Sequence, residues 1–215
     1  LTIESPMLSY RKFKQLQELK NKKFTFTILD LNYDEKIKLD KAIKDLTDQA
    51  IRAAENNTVS IILSDKKIKK GKLPIHALLA TGAVHHALIK SGLRTKVNII
   101  IETATARDSH HCAALIGYGA TAIYPYLAYQ SLNSMIIEKS DDDSEFYEAT
   151  RNYRQGINKG LYKILSKMGI STISSYRGSQ LFECVGLNQE VVDLCFCDTT
   201  NRLSGTTFSD LQSDQ

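Results

Sequence analysis

The sequence predicts an α/β fold: a mostly parallel sheet with flanking helices. Three observations carry this. Residues 59–63 and 97–101 are short apolar runs rich in β-branched side chains, the pattern of strands buried on both faces. Each strand run is followed by a segment with apolar residues at helical spacing. Residues 97–126 read as strand, helix, strand within about 30 residues, the crossover that parallel neighbours require.

The elements follow in order. Residues 10–19 place Phe13, Leu16 and Leu19 on one side of a short helix that Ser9 can cap. Residues 23–30 alternate Phe24, Phe26 and Ile28 with Thr25 and Thr27, which is strand spacing. Asp34 is placed to cap a helix along which Ile37, Ala42, Ile43, Leu46, Ala50, Ile51 and Ala54 recur. Strand 59–63 ends in Ser64-Asp65 and a lysine-rich loop. Pro74 suits the first turn of a helix, where no N–H is needed. That helix continues to Ile89, is apolar almost all round, and so belongs between layers. Gly92 ends it.

Strand 97–101 leads to Glu102, a loop to Arg107, and a helix capped by Asp108 or Ser109. Gly117 and Gly119 close that helix, since glycine takes positive φ at no steric cost. Residues 121–124 form a strand stopped by Pro125, and 126–135 a helix. The acidic turn at 141–143 suits the positive end of a long helix over 144–168. Phe146, Ala149, Tyr153, Ile157, Leu161, Ile164, Leu165 and Met168 form its apolar stripe. Gly156 and Gly160 within it each cost about 1 kcal/mol against Ala, so close packing on a neighbour is expected at both. Beyond Gly169 the pattern suggests a brief strand at 170–173, a short helix at 178–185, a strand at 191–197, and a polar tail over 198–215.

In parallel α/β folds, sites lie beyond the carboxyl ends of strands. The candidates are therefore Glu102, Thr103, Thr105, Arg107 and His110. Arg107 beside a helix N-terminus could hold an anion, or could pair with Glu102 or Asp108 and secure the loop. The turn 174–178 could cradle a phosphate or simply cap a helix. His85-His86 and His110-His111 are poor metal sets, because adjacent helical residues point about 100° apart. His85 and His110 read better as hydrogen-bonded structural residues. There is no GxSxG, Walker A or GxGxxG pattern.

The totals exclude several classes. The chain has 215 residues, enough for one large domain or two small ones, with 42% hydrophobic and 24% charged residues. No apolar run approaches the roughly 20 residues of a membrane span. The net charge of +4 sits largely in lysine tracts without interleaved aromatics, which argues against nucleic acid. Cys112, Cys184, Cys195 and Cys197 form neither a CxxC pair nor a zinc pattern and read as reduced thiols, with Cys195 and Cys197 on one face of a strand. The start, Leu1-Thr2-Ile3-Glu4, has no signal-peptide pattern and no initiator Met, suggesting a piece of a longer chain in the cytoplasm, or in a plastid for a plant or algal source.

Taken together, several stretches carry a resemblance: PIHALLATGAVHH at 74–86, GLRT at 92–95, ETATAR at 102–107, His110-His111, LIGYGA at 115–120 and PYLA at 125–128. NKGL at 158–161, SKMGIST at 166–172 and SYRG at 175–178, with Gln180 and Phe182-Glu183, continue it. From Ser5-Pro6 to about Arg202 the chain resembles the central domain of the glutamate synthase large subunit. That resemblance implies a reduced relative of a (β/α) barrel. It implies a parent enzyme that makes two glutamates from glutamine and 2-oxoglutarate, with ammonia passing inside the protein from an amidotransferase domain to an FMN domain carrying an iron–sulfur cluster. Residues 1–200 would be the connecting domain, and 201–215 a tail or the start of a linker to the FMN domain. No cofactor is expected in this chain. Its partners would be the amidotransferase and FMN domains, with ammonia in transit. Glu102, Thr103, Thr105, Arg107 and His110 would lie near the passage. The other reading is a free-standing α/β enzyme binding a phosphorylated ligand at Arg107 and the turn before Gly178.

Overall fold

The computed structural model describes residues 4–19, 24–137 and 143–215. Strands β1 (Phe26–Asp30), β2 (Asn32–Asp34), β3 (Ser60–Ser64), β4 (Lys72–Pro74), β5 (Asn98–Glu102) and β6 (Ala122–Tyr124) come first in the chain. β1, β3, β5 and β6 lie side by side in that order, every pair parallel, as the strand–helix alternation predicts. The order in space is the order in sequence, so the sheet winds in one direction, as one stretch of a (β/α) barrel would. β2 and β4 make a small antiparallel pair.

Register places the site. Ser64 lies opposite both Asp30 and Glu102, and Glu102 opposite Tyr124. These four side chains therefore form one level row on one face, at the carboxyl ends of the strands. On the other face Leu29, Ile61, Leu63, Ile99, Ile101 and Ile123 pack against α2 (Leu39–Glu55), α3 (Ala77–Lys90) and α4 (Ser109–Gly117) in one continuous core. The row's own face is covered by α1 (Tyr10–Gln17), where Phe13 stacks on Tyr124 with centroids 4.3 Å apart. The outer edge of β6 is closed by the segment before α1: Leu8 N–H donates to Ile123 O at 2.9 Å, and Ile123 N–H to Pro6 O at 2.8 Å. Near the other ends of the strands Leu16, Phe24, Phe26, Ile62 and Ile100 line a cavity of about 350 Å³.

Helices α5 (Tyr126–Ile137) and α6 (Asp143–Lys167) complete the layer beside α4, with Ile157, Leu161 and Leu165 of the expected stripe buried and Met168 half-exposed. The expected acidic turn lies outside the described residues except for Asp143, which begins α6. Gly160 behaves as its cost requires: a Cβ there would lie 1.9 Å from Ser109 Oγ. Gly156 does not, because nothing lies within 4 Å of its Cβ position.

Several local expectations are corrected. Pro74 ends β4 on a sheet edge, where its missing N–H costs nothing, and His76 caps α3 by accepting from Leu78 N–H. Asp34 accepts from Lys36 N–H at 3.0 Å in a turn, and α2 starts later. The brief strand at 170–173 is instead α7 (Ile173–Tyr176), capped by Thr172. The expected helix at 178–185 is replaced by β7 (Glu183–Leu187), and the expected strand at 191–197 by α8 (Gln189–Cys195), capped by Asn188. Cys195 and Cys197 therefore do not share a strand face; Cys197 Sγ bonds to Asp193 O at the helix end. The stretch read as a polar tail contains β8 (Thr200–Thr206), parallel to β7, and α9 (Phe208–Ser213) with a Thr207–Asp210 capping box.

Candidate functional site

The strand-end row is acidic, buried apart from Asp30, and filled by its own neighbours. Glu102, 5% exposed, accepts a 2.6 Å bond from Ser64 Oγ and faces Lys66 Nζ at 3.5 Å. Asp65 follows β3 directly and is 3% exposed. It accepts from Thr103 Oγ1 at 2.5 Å and from Ala104 N–H at 3.1 and 3.2 Å. Thr103 is fully buried and lies 3.0 Å from Thr105 Oγ1. Asn32 reaches the same group, donating to Asp30 Oδ1 at 2.6 Å and to Asp65 O at 3.3 Å, while its own Oδ1 is buried without a partner. Lys66 lies over the Tyr126 ring, 5.7 Å from its centroid. Burial, and then the negative charge of Asp65, hold the Tyr126 hydroxyl well above its usual range. Burial and Glu102 push Tyr124 up to about 12.

Of the residues expected here, Glu102, Thr103 and Thr105 come together. Arg107 and His110 do not join them. Both side chains are exposed, and Arg107 serves the loop through its backbone: its carbonyl accepts from Tyr153 OH at 2.9 Å and its N–H donates to His111 Nδ1 at 3.3 Å. Glu102 pairs with Lys66, not with Arg107. Asp108 caps α4 by accepting from His111 N–H at 2.8 Å, and that bond holds its carboxyl below the usual range. The residues missed were Ser64, Asp65, Lys66 and Tyr126. The signal for them was present: Ser64-Asp65 ends one strand just as Glu102-Thr103 ends the next.

The phosphorylated-ligand reading loses its site. Arg107 precedes α4, whereas Gly178 N–H donates to Gly117 O at the far end of that helix, at 2.8 Å. Nine residues of helix span about 13 Å. The two halves of the proposed cradle are on opposite ends, and the Gly178 amide is already occupied.

The strand ends hold a ligand cofactor poorly. A flavin phosphate would meet Asp65 and Glu102, and a flavin ring would meet the Phe13–Tyr124 stack. The cysteines Cys112, Cys184 and Cys195 are buried free thiols on three different elements. Burial pushes the Cys112 thiol up to about 12 and raises those of Cys184 and Cys195 as well. Among the described residues no three His, Cys, Asp or Glu side chains converge as metal ligands, and no helix is long and apolar enough to cross a membrane.

The family model of the glutamate synthase central domain matches residues 1–188. The chain belongs to the glutamate synthase central-domain family. It is 43% identical over 205 residues to the NADPH glutamate synthase large chain of Bacillus subtilis, covering 95% of this chain and 13% of that one. It is 39% identical over 225 residues to the chloroplastic ferredoxin-dependent glutamate synthase of Oryza sativa, covering 98% of this chain and 14% of the relative. This central domain thus spans about an eighth of the length of such relatives. Among solved structures, the flavin-binding domain of baker's yeast flavocytochrome b2 matches 80% of this chain and 37% of its own, with a TM-score of 0.52 at 12% identity. That likeness is one of fold, and it agrees with a parallel sheet wound like part of a barrel.

Proposed function

We propose that this domain is the connecting, non-catalytic part of a glutamate synthase large chain. It joins the amidotransferase and FMN domains of the same polypeptide and helps to wall the passage through which ammonia moves, in the cytoplasm or a plastid. The observation that carries this reading is the engagement of the strand-end carboxylates by their own neighbours. A general base needs a free lone pair aimed at its substrate, and Asp65 and Glu102 are turned toward Thr103, Ala104, Ser64 and Lys66. The same engagement suits a passage wall. A free buried acid would protonate and retain ammonia as ammonium, whereas hydroxyls and small side chains such as Thr105 and Ala104 would not.

The test uses the complete large chain. Thr105, half-buried at the rim of the row, is the informative position, because a bulky residue at Thr103 would break the Asp65 network itself. In Thr105→Phe, glutamine hydrolysis is expected to continue while glutamate formation falls several-fold behind it, with the missing nitrogen recovered as free ammonia. Unchanged one-to-one coupling in Thr105→Phe would remove the passage from this region.

A further inference from the structure

A second polar group lies at the opposite end of α4 from the strand-end row. His85 is on α3, Arg94 in the short 3-10 turn (Arg94–Lys96) that follows it, and Arg177 directly after α7. Arg94 donates from Nε to His85 Nδ1 at 2.8 Å, from Nη1 to Val97 O at 2.6 Å and from Nη2 to Gly119 O at 2.8 Å. Because Nδ1 accepts, the ring proton of neutral His85 is on Nε2. A Cβ placed on Gly178 would lie 4.0 Å from that Nε2, so the Arg177-Gly178 turn sits over it. Gly119 backs the ring so closely that a Cβ there would lie 2.5 Å from it.

Two donors in this group are left over. Arg177 Nε is buried with no hydrogen-bond partner, and among the described residues His85 Nε2 makes no hydrogen bond. Nor does any described carboxylate pair with either guanidinium; the described acids that do form ion pairs form them elsewhere, as Glu183 does with Arg202. Burial and the Arg177 charge push Arg94 down to about 10, and burial, then Arg94, His86 and Arg177, push His85 down to about 3. Half-buried cations without a counter-charge are costly, and the buried, unfilled Arg177 Nε adds to that cost. One oxyanion removes both penalties, and guanidinium forks match its geometry.

We propose that Arg177 and the Nε2–H of His85 bind a single oxyanion group, a phosphate or a carboxylate, while Arg94 holds the His85 ring and adds positive charge. The site is built from side chains and is separate from the strand-end row. It does not depend on the connecting role.

The experiment is hydrogen exchange read by mass spectrometry on the complete polypeptide, in phosphate-free buffer and with inorganic phosphate at constant ionic strength. Peptides covering 85–96 and 173–180 are expected to exchange about tenfold more slowly at phosphate ten times above its dissociation constant. Arg177→Gln should abolish that response while peptides of β3 and β5 exchange as in the unmodified protein. Should those peptides show that Arg177→Gln fails to fold, Arg177→Lys, which keeps the charge and loses the fork, takes its place and should weaken the response. A carboxylate of the same polypeptide would give a different pattern: no response to phosphate, but faster exchange in Arg177→Gln both at 173–180 and in one acidic peptide elsewhere. Either pattern supports the site. No phosphate response and no second peptide would overturn it.

Discussion

Asp65, Thr103 and His85 show how single residues set the chemistry of this domain. Asp65 sits beyond the last residue of β3, where the strand direction delivers it to Thr103 and the Ala104 amide. Its two neighbours in sequence, Ser64 and Lys66, both serve Glu102 instead. Adjacent residues at a strand end thus divide between two buried acids. His85 behaves differently, because it is kept neutral. Its ordinary value of 6.5 falls to about 3 in the folded chain, mainly through burial. The unfolded chain therefore takes up the proton first as pH falls. The stability contributed by neutral His85 is complete above about 6.5 and is lost progressively toward about 3. His85→Asn keeps an acceptor for Arg94 and cannot titrate. Urea midpoints should fall less steeply between those two pH values in His85→Asn than in the natural sequence. His76 and His86, also lowered by burial, and, toward the acid end, Asp108 and Asp210, lowered by their backbone hydrogen bonds, supply the slope that remains. Equal slopes would mean that His85 does not titrate with folding.

At the scale of elements, the helices meet through glycine. A Cβ on Gly82 of α3 would lie 1.9 Å from Cys195 O of α8, and one on Gly160 of α6 equally close to Ser109 Oγ of α4. Gly156, one turn before Gly160 on α6, meets nothing within 4 Å. The pair makes an internal comparison. Gly156→Ala should stabilise by about 0.5–1 kcal/mol, since only the backbone entropy of glycine is removed. Gly160→Ala should destabilise by about 1–3 kcal/mol through overpacking. Both effects would appear as shifts of the urea midpoint at constant slope. Stabilisation by both would mean that α4 and α6 are not in close contact. The sequence marked both glycines alike, because spacing along a helix says which face a residue is on and not which neighbour it meets.

Across the whole molecule, the last eighteen residues complete a core that begins near the other terminus. Lys38, at the start of α2, makes no side-chain cap. Gln212 of α9 supplies one from 173 residues away, accepting from Leu39 N–H at 2.9 Å while donating to Ile37 O at 3.0 Å. Phe208, 8% exposed, joins the main core. Gln212→Ala should cost about 1 kcal/mol, as loss of a helix cap does, and Phe208→Ala about 3 kcal/mol, both read from urea unfolding of this chain. Two near-zero values would return this segment to a loose tail. The sequence by itself determined the four parallel strands and the helices that alternate with them up to α6, but not the order of the strands in the sheet. Those elements are written in local signals: β-branched runs, helical spacing, Asp108 as a cap, Gly92 and Gly169 as stops. It also determined that Glu102 and Thr103 end a strand where polar side chains collect. After α6 the local signals misled. Val191-Val192 and the Cys195-Phe196-Cys197 alternation favour a strand, yet Asn188 caps a helix there, and the apolar side chains of 183–187 pair with a polar partner strand. Only the tertiary structure decided that α8 packs on Gly82, that Asp65 and Lys66 belong to the strand-end row, and that Gln212 caps α2. Each of these rests on contacts between residues far apart in the chain, and no periodicity along the chain encodes which distant residue will be met.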